Sequence, residues 1–163
     1  MIAPDINFEY CRASGMKRLA NYLIDLIAFY ILVLFLGFFS EILFPGSISE
    51  MNLNPIMDRV ITIFIYGLIM FIIEIASNGK SLGKVITGTR AMTYDGERLN
   101  FGQALIRNFV RAVPFNALSG VGSPCSPWHD TWSHTLVIDE KKLELAKRQD
   151  EFYSSLKNQD DIE

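Results

Sequence analysis

Cysteine is scarce in this chain of 163 residues: there are two, Cys11 and Cys125, and neither belongs to a C-x-x-C pair. No disulfide framework is expected from them. Histidine is equally scarce, and no H-E-x-x-H is present. Cys125, His129 and His134 invite a metal hypothesis, but they fall in a turn-rich segment rather than on one helix, so neither a metal site nor a cofactor is expected. A basic excess is missing as well. The net charge of −3 gives no argument for a nucleic-acid partner. The stretch "SNGKSLGK" contains Gly79-Lys80-Ser81, yet the glycine that a phosphate loop needs five positions earlier is Glu74, inside an apolar run. No nucleophile, base and orienting group occur in a defensible pattern, so an enzyme is not expected. Small-xxx-small faces are absent too, Gly37 and Gly67 standing alone in their runs.

What is present is apolar sequence. Half the residues are hydrophobic, 12 of them Phe, and the charges are segregated from the apolar runs. The mean hydropathy of +0.22 is high for a soluble domain of this size and moderate for a membrane protein with polar flanks. Leu19 to Ser40 is a run of 22 residues with one full charge. As a helix it rises about 33 Å, enough for a hydrocarbon core of about 30 Å. It is too long for the apolar core of a signal peptide, and no cleavage-type site follows it. Val60 to Ala76, "VITIFIYGLIMFIIEIA", is a second run of 17 residues, at the short end for a span. Helices are expected for both, since open strands leave unpaired backbone groups in lipid.

The basic residues orient the pair. Arg12, Lys17 and Arg18 precede the first run, and Lys80, Lys84 and Arg90 follow the second, whereas the connecting loop has Arg59 against Glu41, Glu50 and Asp58. The positive-inside bias then places both termini in the cytoplasm, with the loop outside. Beyond the second run, 87–94 has strand-like composition and Asp95-Gly96 is a hairpin-type turn. Asn100 is the expected N-cap of an amphipathic helix over 101–113, ended by Pro114. Leu105, Phe109, Ala112 and Val113 share its apolar side, and Arg107 and Arg111 share another. The stretch "AVPFNALSGVG" is short and polar for a third crossing, so this helix is expected to lie at the inner membrane surface, followed by a re-entrant or interfacial turn. Trp128 and Trp132 are expected as interfacial anchors, and 134–139 is strand-like and suited to pair with 87–94. The charged tail, 139–163, has weak helical periodicity in Leu145, Phe152 and Leu156 and is expected to be mobile.

The polar residues inside the apolar runs carry the functional question. Arg18, Asn21 and Asp25 line one helical face. An aspartate within a span costs roughly 3 kcal/mol, and each Leu, Ile, Val or Phe returns about 0.3–0.6. The fourteen such residues between Leu19 and Phe39 outweigh it, so insertion still wins. The remaining cost implies that Asp25 faces protein or water, paired or protonated. In an antiparallel hairpin of spans, Glu74 comes to a similar depth, and Arg107 and Arg111 are the cations available to both. Asp130 has Arg90, Arg107 or Arg111 as candidate partners, with His129-Asp130 a hydrogen-bonded turn.

These motifs, in this order, resemble the RDD family of membrane proteins, named for one arginine and two aspartates. "RLANYLID" supplies Arg18 and Asp25. "EIASNGKSLGK" matches the ending of the second span, with Glu74, Gly79, Gly83 and Lys84. "GTRAMTYDGERLNFGQALIRNFVR" follows, with Gly88, Arg90, Asp95, Gly96, Arg107 and Arg111, and "PWHDTWSHTLVI" brings Asp130 and Thr135. The likeness covers about 16–138. Two departures stand out: the usual third apolar span is cut down, and His134 stands where a glycine is expected. The resemblance implies an integral membrane protein, and some members are associated with sodium/proton antiport.

The expected architecture is an all-α membrane protein: a two-helix transmembrane hairpin with a cytoplasmic-side amphipathic helix and a small β-hairpin-like element. A lead-in, 1–17, precedes a membrane domain, 18–138, with spans at about 19–40 and 60–76. The setting is the cytoplasmic membrane, multi-pass, with both termini inside. Arg18, Asp25, Glu74, Arg107, Arg111 and Asp130 form the candidate polar network. Two functions fit it. One is a structural or accessory module whose partners are the bilayer and another membrane protein or its own copy. The other is a small oligomeric antiporter exchanging sodium ions for protons, with Asp25 and Glu74 as relay.

Overall fold

The computed structural model describes residues 6–46, 54–112 and 127–160. The two apolar runs become helices α1, Gly15–Leu43, and α2, Pro55–Ala76. Both extend beyond the apolar stretches because their caps lie in the polar flanks. The Ser14 hydroxyl accepts from Lys17 N at 3.4 Å, and Asn54 Oδ1 accepts from Ile56 N at 3.0 Å ahead of Pro55 in the first turn. The helices touch where the Phe29 ring meets Tyr66 edge-on at 5.1 Å, backed by Leu26, Ile69 and Met70. Beyond that contact their side chains face outward: Leu34, Phe35, Leu36, Phe38 and Phe39 on α1, and Val60 and Phe64 on α2, are exposed. Only 11% and 22% of the most apolar windows of α1 and α2 are buried inside the protein. The core helix of a soluble protein would be mostly covered, so these two long apolar helices are built for a bilayer.

After α2 the chain reverses tightly. Asn78 and Gly79 both take positive φ, 53° and 85°. A Cβ on Gly79 would stand 2.2 Å from the carbonyl oxygen of Ala91, so only glycine fits here. The reversal leads into a short helix, α3, Leu82–Thr87, capped by Ser81, and then into strand β1, Thr89–Thr93. Gly83 lies within α3, where a Cβ would come within 2.5 Å of Asn21 O; its role is to let α3 press on the α1 backbone.

Asp95-Gly96 does make a turn, closed by Gly96 N to Thr93 O at 3.1 Å and Thr93 N to Glu97 O at 3.0 Å. The strand partner, however, comes from much later in the chain. β1 pairs antiparallel with β2, Thr135–Asp139, with Ala91 opposite Val137. The lead-in lies along the other side of β2, with Ala13 N to Val137 O at 2.9 Å and Asp139 N to Cys11 O at 2.8 Å. One face of this sheet buries Cys11, Met92, Leu136 and Ile138 against Leu143 and Ala146, and Ala13, Ala91 and Val137 form the second cluster.

Helix α4, Phe101–Ala112, starts with a reciprocal capping box: Gln103 N donates to Asn100 Oδ1 at 2.8 Å, and Asn100 N donates to Gln103 Oε1 at 3.1 Å. It runs antiparallel along α2, since Phe101 meets Phe71 at 4.9 Å and Phe109 meets Phe64 at 5.4 Å. The interfacial turn expected after it, Pro114 and Cys125 lie outside the described residues. A short helix α5, Trp128–Trp132, precedes β2, and α6, Glu140–Asp160, carries the tail as a helix.

Candidate functional site

The charged stripe of α4 is its buried stripe. Arg107 is 1% exposed and Arg111 7%, while Phe101 and Ile106 face outward. The reason is what awaits them: carboxylates presented by α1, α2 and α5. The result is a buried polar core whose charges come from the five helices α1 to α5, with Thr89 on β1 and Thr135 on β2 bonded into it.

Asp25, fully buried on α1, accepts from Ser81 Oγ at 2.7 Å, from Gly83 N at 2.8 Å and from Arg111 at 2.8 Å. Its neighbour Asn21 joins the same corner. With its amide nitrogen toward Gly83 O at 3.0 Å and Lys17 O at 3.1 Å, its oxygen accepts from Thr89 Oγ1 at 2.9 Å. Glu74, on α2, holds Lys84 in an ion pair, accepts from Arg107 Nε at 3.2 Å, and takes Asn108 Nδ2 on its other oxygen at 2.5 Å. Asp130, on α5, takes Arg18 on one oxygen and Arg107 on the other. Arg107 therefore bridges Glu74 to Asp130, and a further bond at 2.9 Å ties it to Thr135 Oγ1 on β2. Arg18 completes its own fork on the carbonyls of Ala13, 3.3 Å, and Val137, 3.2 Å.

The six residues singled out in the sequence thus meet in one network, in a specific pairing. Asp130 pairs with Arg18 and Arg107. Arg111 goes to Asp25 instead, and Arg90 lies 3.2 Å from Glu140 at the rim. Sequence reasoning missed Lys84 and Asn108 as members, and it gave no weight to Tyr66. The signal for Lys84 was its place in "GKSLGK", one residue past the glycine that brings α3 against α1. Asn108 is the residue after Arg107, and Tyr66 stands two helical turns before Glu74 on the same face of α2.

The electrostatics follow from burial. Burial alone would raise the Asp130 carboxyl, but Arg107, His129 and Arg18 hold it well below the ordinary carboxylate range. Burial pulls Lys84 down to about 8, against the pull of Glu74, with Arg107 and Arg111 adding to the shift. Burial also takes His129 down to about 3; Asp130, 3.4 Å away, opposes this, and Arg107, Arg111 and Arg18 reinforce it, so His129 is neutral at pH 7. Four cations, Arg18, Lys84, Arg107 and Arg111, therefore face three carboxylates, Asp25, Glu74 and Asp130. No group of acidic, cysteine and histidine side chains suited to a metal ion occurs among the described residues. At the rim, Trp128 and Trp132 stack at 6.5 Å with both rings exposed, and Lys17 meets Asp139 at 2.7 Å.

Comparison with known proteins agrees with this geometry. No curated protein and no solved structure matches the chain. The model of the RDD family matches residues 12–138, a range that begins at the strand-like lead-in, takes in every charged member of the buried network and ends in β2. With the match spanning the buried network and two long apolar helices beside it, this chain is a membrane protein and belongs to the RDD family.

Proposed function

We propose that this RDD protein is a structural or accessory module of the cytoplasmic membrane, neither an enzyme nor a transporter. Its partners on this reading are the bilayer and another membrane protein or a second copy of itself, and both termini lie in the cytoplasm. The observation that carries the reading is the state of the three carboxylates. Each is already held by at least one cation, Asp25 by Arg111, Glu74 by Lys84 and Arg107, and Asp130 by Arg18 and Arg107. A sodium ion entering this cluster would add to a positive surplus, in a setting where uncompensated charge is costly. Carboxylates poised for antiport need vacancy or a proton to exchange. These have arginine partners that do not titrate in a protein. The network is suited to fixing helix register and joining α1 and α2 to the sheet beneath them.

The basic residues support the orientation. Lys17, Lys80, Lys84 and Arg90 gather at the end where the sheet lies. Sodium-driven proton movement in proteoliposomes, with native protein beside Asp25→Asn, tests the reading. No sodium-dependent proton flux is expected from either protein at verified incorporation. Flux in the native protein that disappears in a folded Asp25→Asn variant would overturn the accessory role and make Asp25 and Glu74 an antiport relay.

A further inference from the structure

The polarity of α4 is the reverse of that of a helix resting on a membrane surface. Such a helix keeps its charged face in water and buries its apolar face. In α4 the polar groups are the covered ones: Arg107, Asn108 and Arg111 are all buried. Beyond the first turn its outward side is apolar, with Ile106 exposed and Leu105 and Phe109 partly so. Short helix α3 repeats the inversion, Lys84 being buried while Leu82, Val85 and Ile86 are exposed. Water is a costly environment for faces of this kind.

The depth of α4 is fixed by α2, along which it runs. Phe101 meets Phe71, about 8 Å along α2 from Ala76 at 1.5 Å per residue. Further along, a Cβ on Gly67 would stand 3.4 Å from Phe109 Cδ1 and 3.6 Å from Asn108 O. Gly67 is about 14 Å from Ala76 on the same count, near the middle of a hydrocarbon core of about 30 Å. At this depth α2 exposes Phe64 and Leu68, and the Phe64 ring touches Phe109. The outward side of α4 is thus continuous with the lipid-facing surface of α2. By α5 the chain is back at the other end, where Asp130 holds Arg107 together with Arg18 from the first turn of α1.

We propose that α4 is a half-membrane helix: it enters the bilayer beside α2, ends near mid-depth, and packs the acyl chains of one leaflet against Leu105, Ile106 and Phe109. Its arginines reach this depth because they turn inward, Arg111 to Asp25 and Arg107 to Glu74 and Asp130, so no cation faces lipid. The i, i+4 arginine pair that marks a surface helix in the sequence is instead the docking face of an inserted one. The sequence beyond α4 adds no charge at this depth, since 113–126 contains no charged residue. This placement depends on the two spans lying in a bilayer and not on the accessory role.

Spin-label depth on the full chain in phosphatidylcholine vesicles tests it, with Cys11→Ala and Cys125→Ser removing the native thiols. Ile106→Cys carries the label. Leu34→Cys on α1 is the lipid-facing reference and Ser154→Cys on α6 the aqueous one, both positions being exposed. Collisions with oxygen, which concentrates in lipid, are compared with collisions with a water-soluble nickel chelate. The oxygen-to-nickel ratio at Ile106 should match that at Leu34 to within about twofold and exceed that at Ser154 about tenfold. A label at Phe101→Cys, nearer the membrane surface, should give an intermediate ratio. Ile106 is exposed, so its replacement should leave folding intact; Leu105→Cys serves in its place if the unfolding midpoint shows otherwise. A ratio at Ile106 as low as at Ser154 would put α4 in water and overturn the half-membrane helix. Rare collisions with both reagents would mean that protein covers this face, a second copy or another partner, and would overturn it too. A Leu34 label that meets nickel as readily as Ser154 would overturn the membrane setting itself.

Discussion

Replacing Glu74 by glutamine removes one charge and almost no volume from the centre of the network. The native carboxylate is 1% exposed and serves Lys84, Arg107 and Asn108 at once. In Glu74→Gln, Lys84 and Arg107 lose their shared anion, and four buried cations are left over two carboxylates. Removing one partner of a buried ion pair costs about 3–5 kcal/mol, because the remaining charge stays desolvated. The reverse deletion should behave differently. Lys84→Met leaves Glu74 with Arg107 and Asn108 and brings the cluster to charge balance, so its cost should stay within about 1 kcal/mol, as for a buried charge replaced by an apolar side chain of similar size. The double variant should be more stable than the sum of the single effects by about 1–3 kcal/mol, since Lys84→Met removes one of the cations that Glu74→Gln strands. Unfolding in mixed micelles, followed by the fluorescence of Trp128 and Trp132 beside Asp130, measures all three. A loss below about 1 kcal/mol for Glu74→Gln, the range of exposed pairs, would mean that Lys84 and Arg107 are not left desolvated and unpaired. Equal losses for Glu74→Gln and Lys84→Met would refute the reasoning.

Gly83→Ala places a methyl group 2.5 Å from Asn21 O and 2.8 Å from its Cα, so α3 must move off α1; a loss of about 1–3 kcal/mol is expected in the same unfolding assay. His134→Gly should raise the unfolding midpoint, because His134 holds φ at 52°, a conformation costing an L-residue about 1–2 kcal/mol that glycine adopts freely; His134→Ala should not. The Asp130 carboxyl lies below its ordinary 3.8 in the folded protein. The stability it contributes is therefore complete above that value and is lost as pH falls through the lower folded value, so Asp130→Asn should flatten the acid limb of a stability–pH curve. Lys84, faced by Glu74 from α2 and by Arg107 and Arg111 from α4, titrates at about 8 rather than 10.5. The unfolded chain holds that proton more tightly across this window, so stability should rise from pH 8 toward 10.5, and Lys84→Met should remove the rise.

Much of this fold was legible because local chemistry marks it. The spans are readable from apolar length, and the α4 start from Asn100 and Gln103, whose side chains cap each other's backbone. The strand at 134–139 and its pairing with 87–94 followed from composition. The expected glycine at 134 has a structural cause in the positive φ that His134 adopts there. The pairing inside the network was not legible, for a physical reason. Depth follows from residue rise along a helix, but partner choice depends on helix rotation and on long-range docking. Nothing local says that Arg111 turns to Asp25 while Arg107 spans Glu74 and Asp130. Lys84 was hidden by its own motif, which reads as an exposed basic flank until α3 is seen folding it under α2. The tail shows the opposite limit: Leu145 and Phe152 remain exposed on α6, and the helix there has only Leu143 and Ala146 packed on the sheet.

The distribution of these charges has a consequence for how the domain holds together. Arg18 on α1 bonds to Val137 on β2 and to Asp130 on α5, and Arg107 on α4 joins α2 to the same aspartate. Among the described residues, the buried packing between α1 and α2 is the cluster around Phe29 and Tyr66. The two apolar helices are therefore coupled mainly through polar groups carried by α3, α4, α5 and β2, not through an apolar seam of their own. Two helices inserted without α4, α5 and β2 would leave Asp25 and Glu74 unpaired in the bilayer, where the cost of each is several residues' worth of apolar gain. Insertion and folding are thus linked: α1 and α2 reach their native arrangement only when Arg107, Arg111 and Asp130, encoded after both of them, have docked. A fragment ending at Ala76 should insert yet fail to form the Phe29–Tyr66 contact, and a disulfide probe between cysteines placed at Leu26 and Ile69 would cross-link the full chain but not that fragment.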